Sequence, residues 1–396
     1  MKESEPAAAK PLEIQNVEVI NEGGKDRLQA TIDGKAIWFV VDASLGIKPR
    51  LEPFLPTAIL LGMAEGRNIV ADPSAPISPK LLKSMETFQR VIRQWNPETF
   101  TISIEARTEL PEVRSNIVAS TYSGGVDSAC TLVRRMDEIT HLVFLSDFDR
   151  HSKDEWPSVE EEWRNRIHNL GKIPLMVETN AVRFTEGFGI SSHYSHGSIL
   201  GGTLAFISPK RGFIPGSLNY RDLKPWGSHP LLDILWSTET TEIVHDSLDL
   251  TRSEKIAVLA DHPQTLSQLQ VCWYARTDNC GRCGKCVRTM LALKLLGGLR
   301  GPFPDRDITK EIEKLKPSNF ATAGLTWDLL QQARRYGHPE IAKILARQLR
   351  AYKIDRDFRS FIKSFIGKST ATRFNRWRGR PWASTKLPLG DPDDFE

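Results

Sequence analysis

The sequence holds no apolar run near the ~20 residues that cross a bilayer, so it predicts no membrane-spanning helix. Its opening, Met-Lys-Glu-Ser-Glu-Pro, carries acids and no apolar stretch. No secretory leader is visible there, and a cytoplasmic location is the expectation. No internal repeat is present. Cysteine is scarce: there are five, and four of them fall between Cys272 and Cys286. In a chain with no visible leader, that clustering favours a metal site over disulfides. No excess of one charge dominates the whole, since the net charge is +4. The distribution is uneven, however. Between Ile341 and Lys386 stand 13 Lys and Arg against two Asp, a local charge of +11 that leaves −7 for the remainder. Such a segment either meets nucleic acid, an acidic protein or ligand phosphates, or forms solvated helix faces.

What is present is a chain of 396 residues, 40% hydrophobic and 26% charged, large enough for two or three globular domains with a sizeable core. The first stretch, 1–112, reads as an α+β domain. Glu13–Ile20, Leu28–Ile32 and Ala36–Val41 read as strands, with a turn at Asp33-Gly34. Helices are predicted over Thr57–Glu65 and from Pro79 to Trp95. From 113 to 300 the rhythm is strand–helix–strand. Asn116–Thr121, His141–Leu145, Ile173–Val177, Gly212–Gly216 and Glu242–His245 read as strands. Val126–Met136, Glu155–Leu170, Tyr194–Ile207 and Ser253–Ala260 read as helices. This alternation predicts an α/β fold, a doubly wound parallel sheet with helices on both faces. From 301 to 396 the chain is helical and basic, with helices expected over Thr309–Leu315, Trp327–Tyr336, Glu340–Tyr352 and Asp357–Ile366. Its prolines and closing acids (Asp391, Asp393, Asp394, Glu396) predict an extended end.

The strand Asn116–Thr121 feeds Ser123-Gly124-Gly125-Val126-Asp127-Ser128. Two adjacent glycines permit positive φ and a close approach of backbone to ligand. A helix follows, so backbone N–H groups meet the positive end of a helix dipole, which is an anion site. Ser123 and Ser128 add hydroxyl donors. Asp127 beside phosphate needs a purpose, either orienting the loop or holding Mg²⁺ against the phosphates. No Lys follows the glycines, so the loop is not of the Walker type.

The six-residue string resembles the signature of the N-type ATP pyrophosphatases, the PP-loop superfamily. That superfamily includes GMP, asparagine and NAD synthetases and tRNA-thiolating enzymes. The resemblance implies cleavage of ATP between its α and β phosphates and an adenylated intermediate. It also implies that Ser123, Gly124, Gly125, Val126, Asp127 and Ser128 hold Mg·ATP and the outgoing pyrophosphate.

Cys272-x₇-Cys280-x₂-Cys283-x₂-Cys286 offers four thiolates. Overlapping C-x-x-C turns place three sulfurs on one side of a knuckle eased by Gly281 and Gly284, and Cys272 completes a tetrahedron. Zn²⁺ is the expected ion, with an iron–sulfur cluster as the rival. Such a zinc knuckle near the end of a PP-loop domain resembles the 7-cyano-7-deazaguanine synthase family over roughly residues 115–300. The string Asn279–Arg288 and the segment Thr251–Leu259 carry the likeness. Lys224-Pro225-Trp226-Gly227-Ser228-His229-Pro230 departs from the family pattern, which implies a paralogous family with its own substrate; Asn219 and Asp222 are candidate equivalents.

Asp147 and Asp149 follow a strand whose carboxyl end is the usual ligand side, where they either bind Mg²⁺ or ribose or are solvated loop acids. Among His193, His196 and His229, His229 is preferred as a proton-transfer group, beside Asp127 and Ser123, because it lies in a Gly/Pro-rich loop. Trp226 either stacks a planar ring or fills core. Arg276, Arg282 and Arg288 surround the knuckle, as anion partners or surface charge. Cys130 reads as a packing residue, which disfavours sulfur transfer.

Together these readings predict an AMP- and pyrophosphate-forming carbon–nitrogen ligase with ATP, Mg²⁺ and Zn²⁺. A nucleobase sulfurtransferase and a non-catalytic nucleotide-binding or nucleic-acid-associated subunit are the alternatives. The expected partners are a small-molecule carboxylate, a deazapurine among them, or a macromolecular substrate. Nucleic acid or protein at 341–386 and a homodimer are further options, and no membrane contact is expected.

Overall fold

The computed structural model describes residues 10–112, 116–146, 148, 155–272, 274, 278–298 and 300–366, with the backbone alone for 359–366. Ten strands form one sheet: β1 (Leu12–Glu22), β2 (Lys25–Ile32), β3 (Lys35–Asp42), β4 (Ile69–Ala71), β5 (Ile104–Glu105), β6 (Val118–Thr121), β7 (His141–Leu145), β8 (Ile173–Thr179), β9 (Arg211–Pro215) and β10 (Glu242–Asp246). The helices are α1 (Leu55–Glu65), α2 (Pro79–Trp95), α3 (Val126–Arg134), α4 (Trp156–Asn169), α5 (Ala181–Gly187), α6 (Ser192–Ile207), α7 (Pro230–Asp233), α8 (Arg252–Ala260), α9 (Pro263–Ser267), α10 (Gly284–Leu295), α11 (Thr309–Lys314), α12 (Phe320–Arg335) and α13 (Pro339–Ile366). The architecture is therefore α/β, with a large mixed sheet.

Across the sheet the order is β10-β9-β6-β7-β8-β3-β2-β1-β4-β5. The first five are mutually parallel. Their composition follows from burial on both faces. In β7, Leu142 and Phe144 join a core formed with α3, α4, α8, α10 and α12. Val143 and Leu145 point the other way, into a core shared with α1, α2, α5 and α6. A strand apolar at every position has helices on each side of it, as the continuous apolar run predicted.

The N-terminal strands extend this sheet. β1, β2 and β3 form an antiparallel meander, and the turn between β2 and β3 has positive φ at both Asp33 (51°) and Gly34 (76°), the geometry of a tight hairpin. β3 then pairs antiparallel with β8 through Phe39↔Thr179 and Val40↔Glu178. Side chains pin the junction: Thr179 Oγ1 donates to Trp38 O (2.8 Å), and Asn180 accepts from Trp38 N (3.0 Å) and donates to Ala36 O (2.9 Å). The meander thereby covers an edge that β8 would otherwise present to solvent.

Two helices differ from expectation in the C-terminal region. α12 starts at Phe320, seven residues before Trp327, because Asn319 and Thr322 form a reciprocal capping box. α13 is one helix and not two, since no Gly or Pro interrupts it. Strand β4 and helices α5 and α10 had no clear periodic signal.

Phe144 is 1% exposed and stacks on Trp163 (4.3 Å between centroids) and Trp156 (6.1 Å). Phe144→Ala is expected to cost about 3–5 kcal/mol, read from urea unfolding midpoints, because the aromatic stack leaves a cavity when its centre is removed.

Candidate functional site

Numbered from β6, the parallel strands run 3-2-1-4-5 across the sheet. The strand order therefore reverses between the parallel neighbours β6 and β9, and a crevice opens outside the carboxyl ends of these two strands. A cavity of about 860 Å³ lies there. The glycine loop lines one wall, Ser217, Leu218 and Asn219 after β9 line another, and Leu250 and Arg252 after β10 a third.

The loop is shaped by its residues. Gly124 has φ +69°, and a Cβ on it would lie 2.5 Å from Trp163 Cη2, so conformation and space both require glycine. Its carbonyl accepts the Gln270 amide at 2.8 Å. Ser128 Oγ donates to Gly125 O (3.1 Å) and accepts from Ser123 N (3.3 Å), which closes the turn. Val126 is fully buried beneath it. The first-turn amides of α3 lack intrahelical acceptors, and this end of the helix favours an anion.

Asp127 lies in that first turn. Its Oδ2 accepts from Arg252 Nη1 (2.9 Å) and its Oδ1 from Lys255 Nζ (3.1 Å). Lys255 is 1% exposed and also donates to Gly216 O at 2.5 Å. Burial opposes ionisation of Asp127, and the charges of Lys255 and Arg252 outweigh it, so the carboxyl stays below the usual range. Arg288, on α10, is half-buried beside Arg252; burial and that like charge lower its pKa. Arg252 thus lines the crevice with Lys255 buried near it, both held by one carboxylate, and Arg288 adds a third cation beside Arg252. In the sequence, Arg252 and Lys255 stand out only as members of the segment Thr251–Leu259. Their local mark is the capping box of Thr251 and Glu254 that starts α8.

Helix α12 supplies the remaining wall, through Phe320, Ala321, Gly324, Leu325 and Asp328. Asp328 accepts from Ser253 N (2.7 Å), and its burial raises the carboxyl pKa. No motif marked these residues. Asn219 and Asp222 line the cavity as well, bonded to each other at 3.0 Å. Trp226 lines it too, with Lys224 over its ring at 5.2 Å and His193 packed on it at 4.9 Å.

No protein-family model, curated protein or solved structure matches this chain.

The Sγ atoms of Cys272, Cys280, Cys283 and Cys286 lie within 4.8 Å of one another, and all four cysteines are free of disulfides. Tetrahedral zinc with Zn–S of about 2.3 Å needs sulfurs about 3.8 Å apart, and Cys280 and Cys286 stand at 4.0 Å. The donor set fits zinc. Backbone amides of Arg282 and Cys283 point at Cys280 Sγ (3.4 Å each), and that of Cys286 at Cys283 Sγ (3.5 Å), a pattern that favours thiolates. Cys283 also caps α10, whose dipole adds to the effect. Gly281 has φ +63°, as the tight knuckle requires. Cys272 lines the cavity, so the cluster borders the crevice.

His229 is not brought to the cavity. It is 6% exposed, and its Nδ1 accepts the Leu231 amide (3.1 Å), capping α7. His196 is held by Ser192 O (2.9 Å) and Ser228 N (3.2 Å), and His245 by Asp233 (2.7 Å). These histidines form a buried polar network behind Trp226. Asp147, Asp149 and Arg276 lie outside the described residues.

Burial, then the neighbouring His245, lowers the His229 pKa to about 4. The folded chain therefore resists a proton that the unfolded chain accepts below about pH 6.5. Its contribution to stability is full above that pH and is lost as pH falls toward 4, at up to about 1.4 kcal/mol per pH unit. Denaturant titrations are expected to show this decline, with a shallower slope in His229→Asn, which keeps a capping acceptor.

Proposed function

We propose that the chain is an ATP-dependent synthase of the PP-loop type, one that adenylates a substrate carboxylate for amide or nitrile formation. The observation that carries this reading is the glycine loop lining a large crevice at the point where strand order reverses, with Lys255, Arg252 and the amino end of α3 gathered around it. Open α/β sheets take nucleotides at that place, and the string Ser123–Ser128 resembles the PP-loop signature.

In this reading the loop amides, Ser123 and Ser128 bind the pyrophosphate half of Mg·ATP. Asp127, held by Arg252 and Lys255, orients the loop and would be a carboxylate available to Mg²⁺, which would supply charge neutralisation of the phosphates. The substrate carboxylate oxygen attacks the α-phosphorus, the bond to the bridging oxygen breaks, and pyrophosphate leaves with that electron pair. Lys255 and Arg252 offset the charge that grows on the leaving group. Ammonia or an amine then adds to the acyl carbon, loses a proton and expels AMP, giving the amide. With ammonia, a second adenylation on the amide oxygen, followed by departure of AMP and loss of the two N–H protons, gives the nitrile. The chain's part is positioning and electrostatics. Nothing in this route needs a thiol. Cys130, 0% exposed with its pKa raised to about 11 by burial, is unsuited to carry a persulfide. The four cysteines would hold zinc in a structural role beside the crevice.

A screen of carboxylates, deazapurine carboxylates among them, is expected to find one that yields AMP and pyrophosphate in equal amounts. Formation of ADP would overturn the reading. Lys255→Ala is expected to lower pyrophosphate release on the order of 10²-fold, the cost of removing one preorganised charge-stabilising donor.

A further inference from the structure

We infer that Asn279 is a positioning residue that couples the four-cysteine cluster to the glycine loop, so that metal and nucleotide bind cooperatively. The inference rests on the nucleotide-binding reading above.

Residues 269–272 run between the two sites in neither helix nor strand. Their backbone has no ladder of its own, and one side chain takes the place of a partner strand. Asn279 Oδ1 accepts the Val271 amide at 2.9 Å. Its Nδ2 donates to Leu269 O (2.9 Å) and to Pro302 O (3.0 Å). The Gln270 side chain adds a bond to Asp278 O at 3.3 Å. Asn279 is 4% exposed, and its bonds to Val271 N and Leu269 O are buried, so losing either leaves a buried backbone group unpaired.

Both ends of this short segment do something. At one end the Gln270 amide donates to Gly124 O at 2.8 Å, holding the glycine whose other side lies against Trp163. At the other end is Cys272, a member of the cluster. Asn279 itself directly precedes Cys280, and its Oδ1 stands 4.0 Å from Cys286 Sγ. One side chain and one backbone bond therefore separate the cysteine sulfurs from the loop.

The arrangement has a thermodynamic consequence. A metal that gathers Cys272 and Cys280 fixes the chain directly after Val271 and directly after Asn279. That brings the Asn279 amide onto the 269–271 backbone and presents the Gln270 amide to Gly124. A nucleotide on the loop stabilises the same placement from the other side. Two ligands that favour one arrangement raise each other's affinity by the same factor.

The test uses the full chain. Zinc affinity is measured by equilibrium competition with a chromophoric chelator, with and without Mg·ATP. ATP affinity is measured by calorimetry on zinc-loaded and zinc-depleted protein. The expected result is a mutual increase of at least about fivefold, equal in both directions. Asn279→Ala is expected to keep one zinc and to bind ATP, with the factor reduced to near one. Gln270→Pro removes the amide that reaches Gly124 and leaves Asn279 and all four cysteines in place; it is expected to abolish the coupling in the same way. ATP binding by the wild type with no effect on zinc affinity overturns this inference alone, as does a full coupling factor in either variant. Absence of ATP binding to the zinc-loaded wild type overturns the nucleotide reading and this inference with it.

Discussion

The ion cluster of Asp127, Arg252 and Lys255 holds the crevice together. A lysine buried to 1% exposure is tolerated only with its charge paired and its N–H bonds made. Lys255 meets that demand with the Asp127 carboxylate and the Gly216 carbonyl. Those two acceptors come from the first turn of α3 after β6 and from the connection after β9, and the lysine comes from the helix after β10. The three strand ends that frame the cavity are thus tied by one ammonium group. Arg252 adds a second cation to the same carboxylate. One negative charge thus restrains two positive ones, and the first turn of α3 is fixed to the helix after β10.

Much of this was legible in the sequence, and the physical reason is that the signals were local. Strands buried on both faces show as unbroken apolar runs, and His141–Leu145 reads that way at sight. A glycine pair between a strand and a helix marks a turn that needs positive φ. Four cysteines at C-x-x-C spacing cannot avoid one another. What stayed hidden depended on pairings between distant residues. Asp127 meets residues 125 and 128 positions further on, and no periodicity announces an ion pair. The N-terminal strands join the parallel sheet through two residue pairs and a few side-chain bonds, which leave no pattern in either strand. His229 looked reactive in its Gly/Pro-rich loop, yet its ring nitrogen caps a short helix. Asn279 carried no mark beyond its place before a cysteine.

The two tryptophans at the crevice, Trp163 and Trp226, show how packing and site are linked. Trp163 stacks on Phe144 inside the core and presses its far edge toward Gly124. The floor of the loop is therefore a core residue, and the rigidity of the core passes to the loop without any polar contact. Trp226 is different: it rests on two histidines and under a lysine in an irregular loop, so its position depends on polar neighbours.

Helix α12 gives the crevice a boundary that the motifs do not reveal. The glycine loop and the cysteine knuckle both lie before residue 300, while Phe320, Gly324 and Asp328 close the cavity from beyond it. On the proposed reading, nucleotide chemistry and acceptor recognition would then be inherited separately. A chain that keeps the loop and the knuckle but carries a different helix after them would retain the activating step and change what it activates.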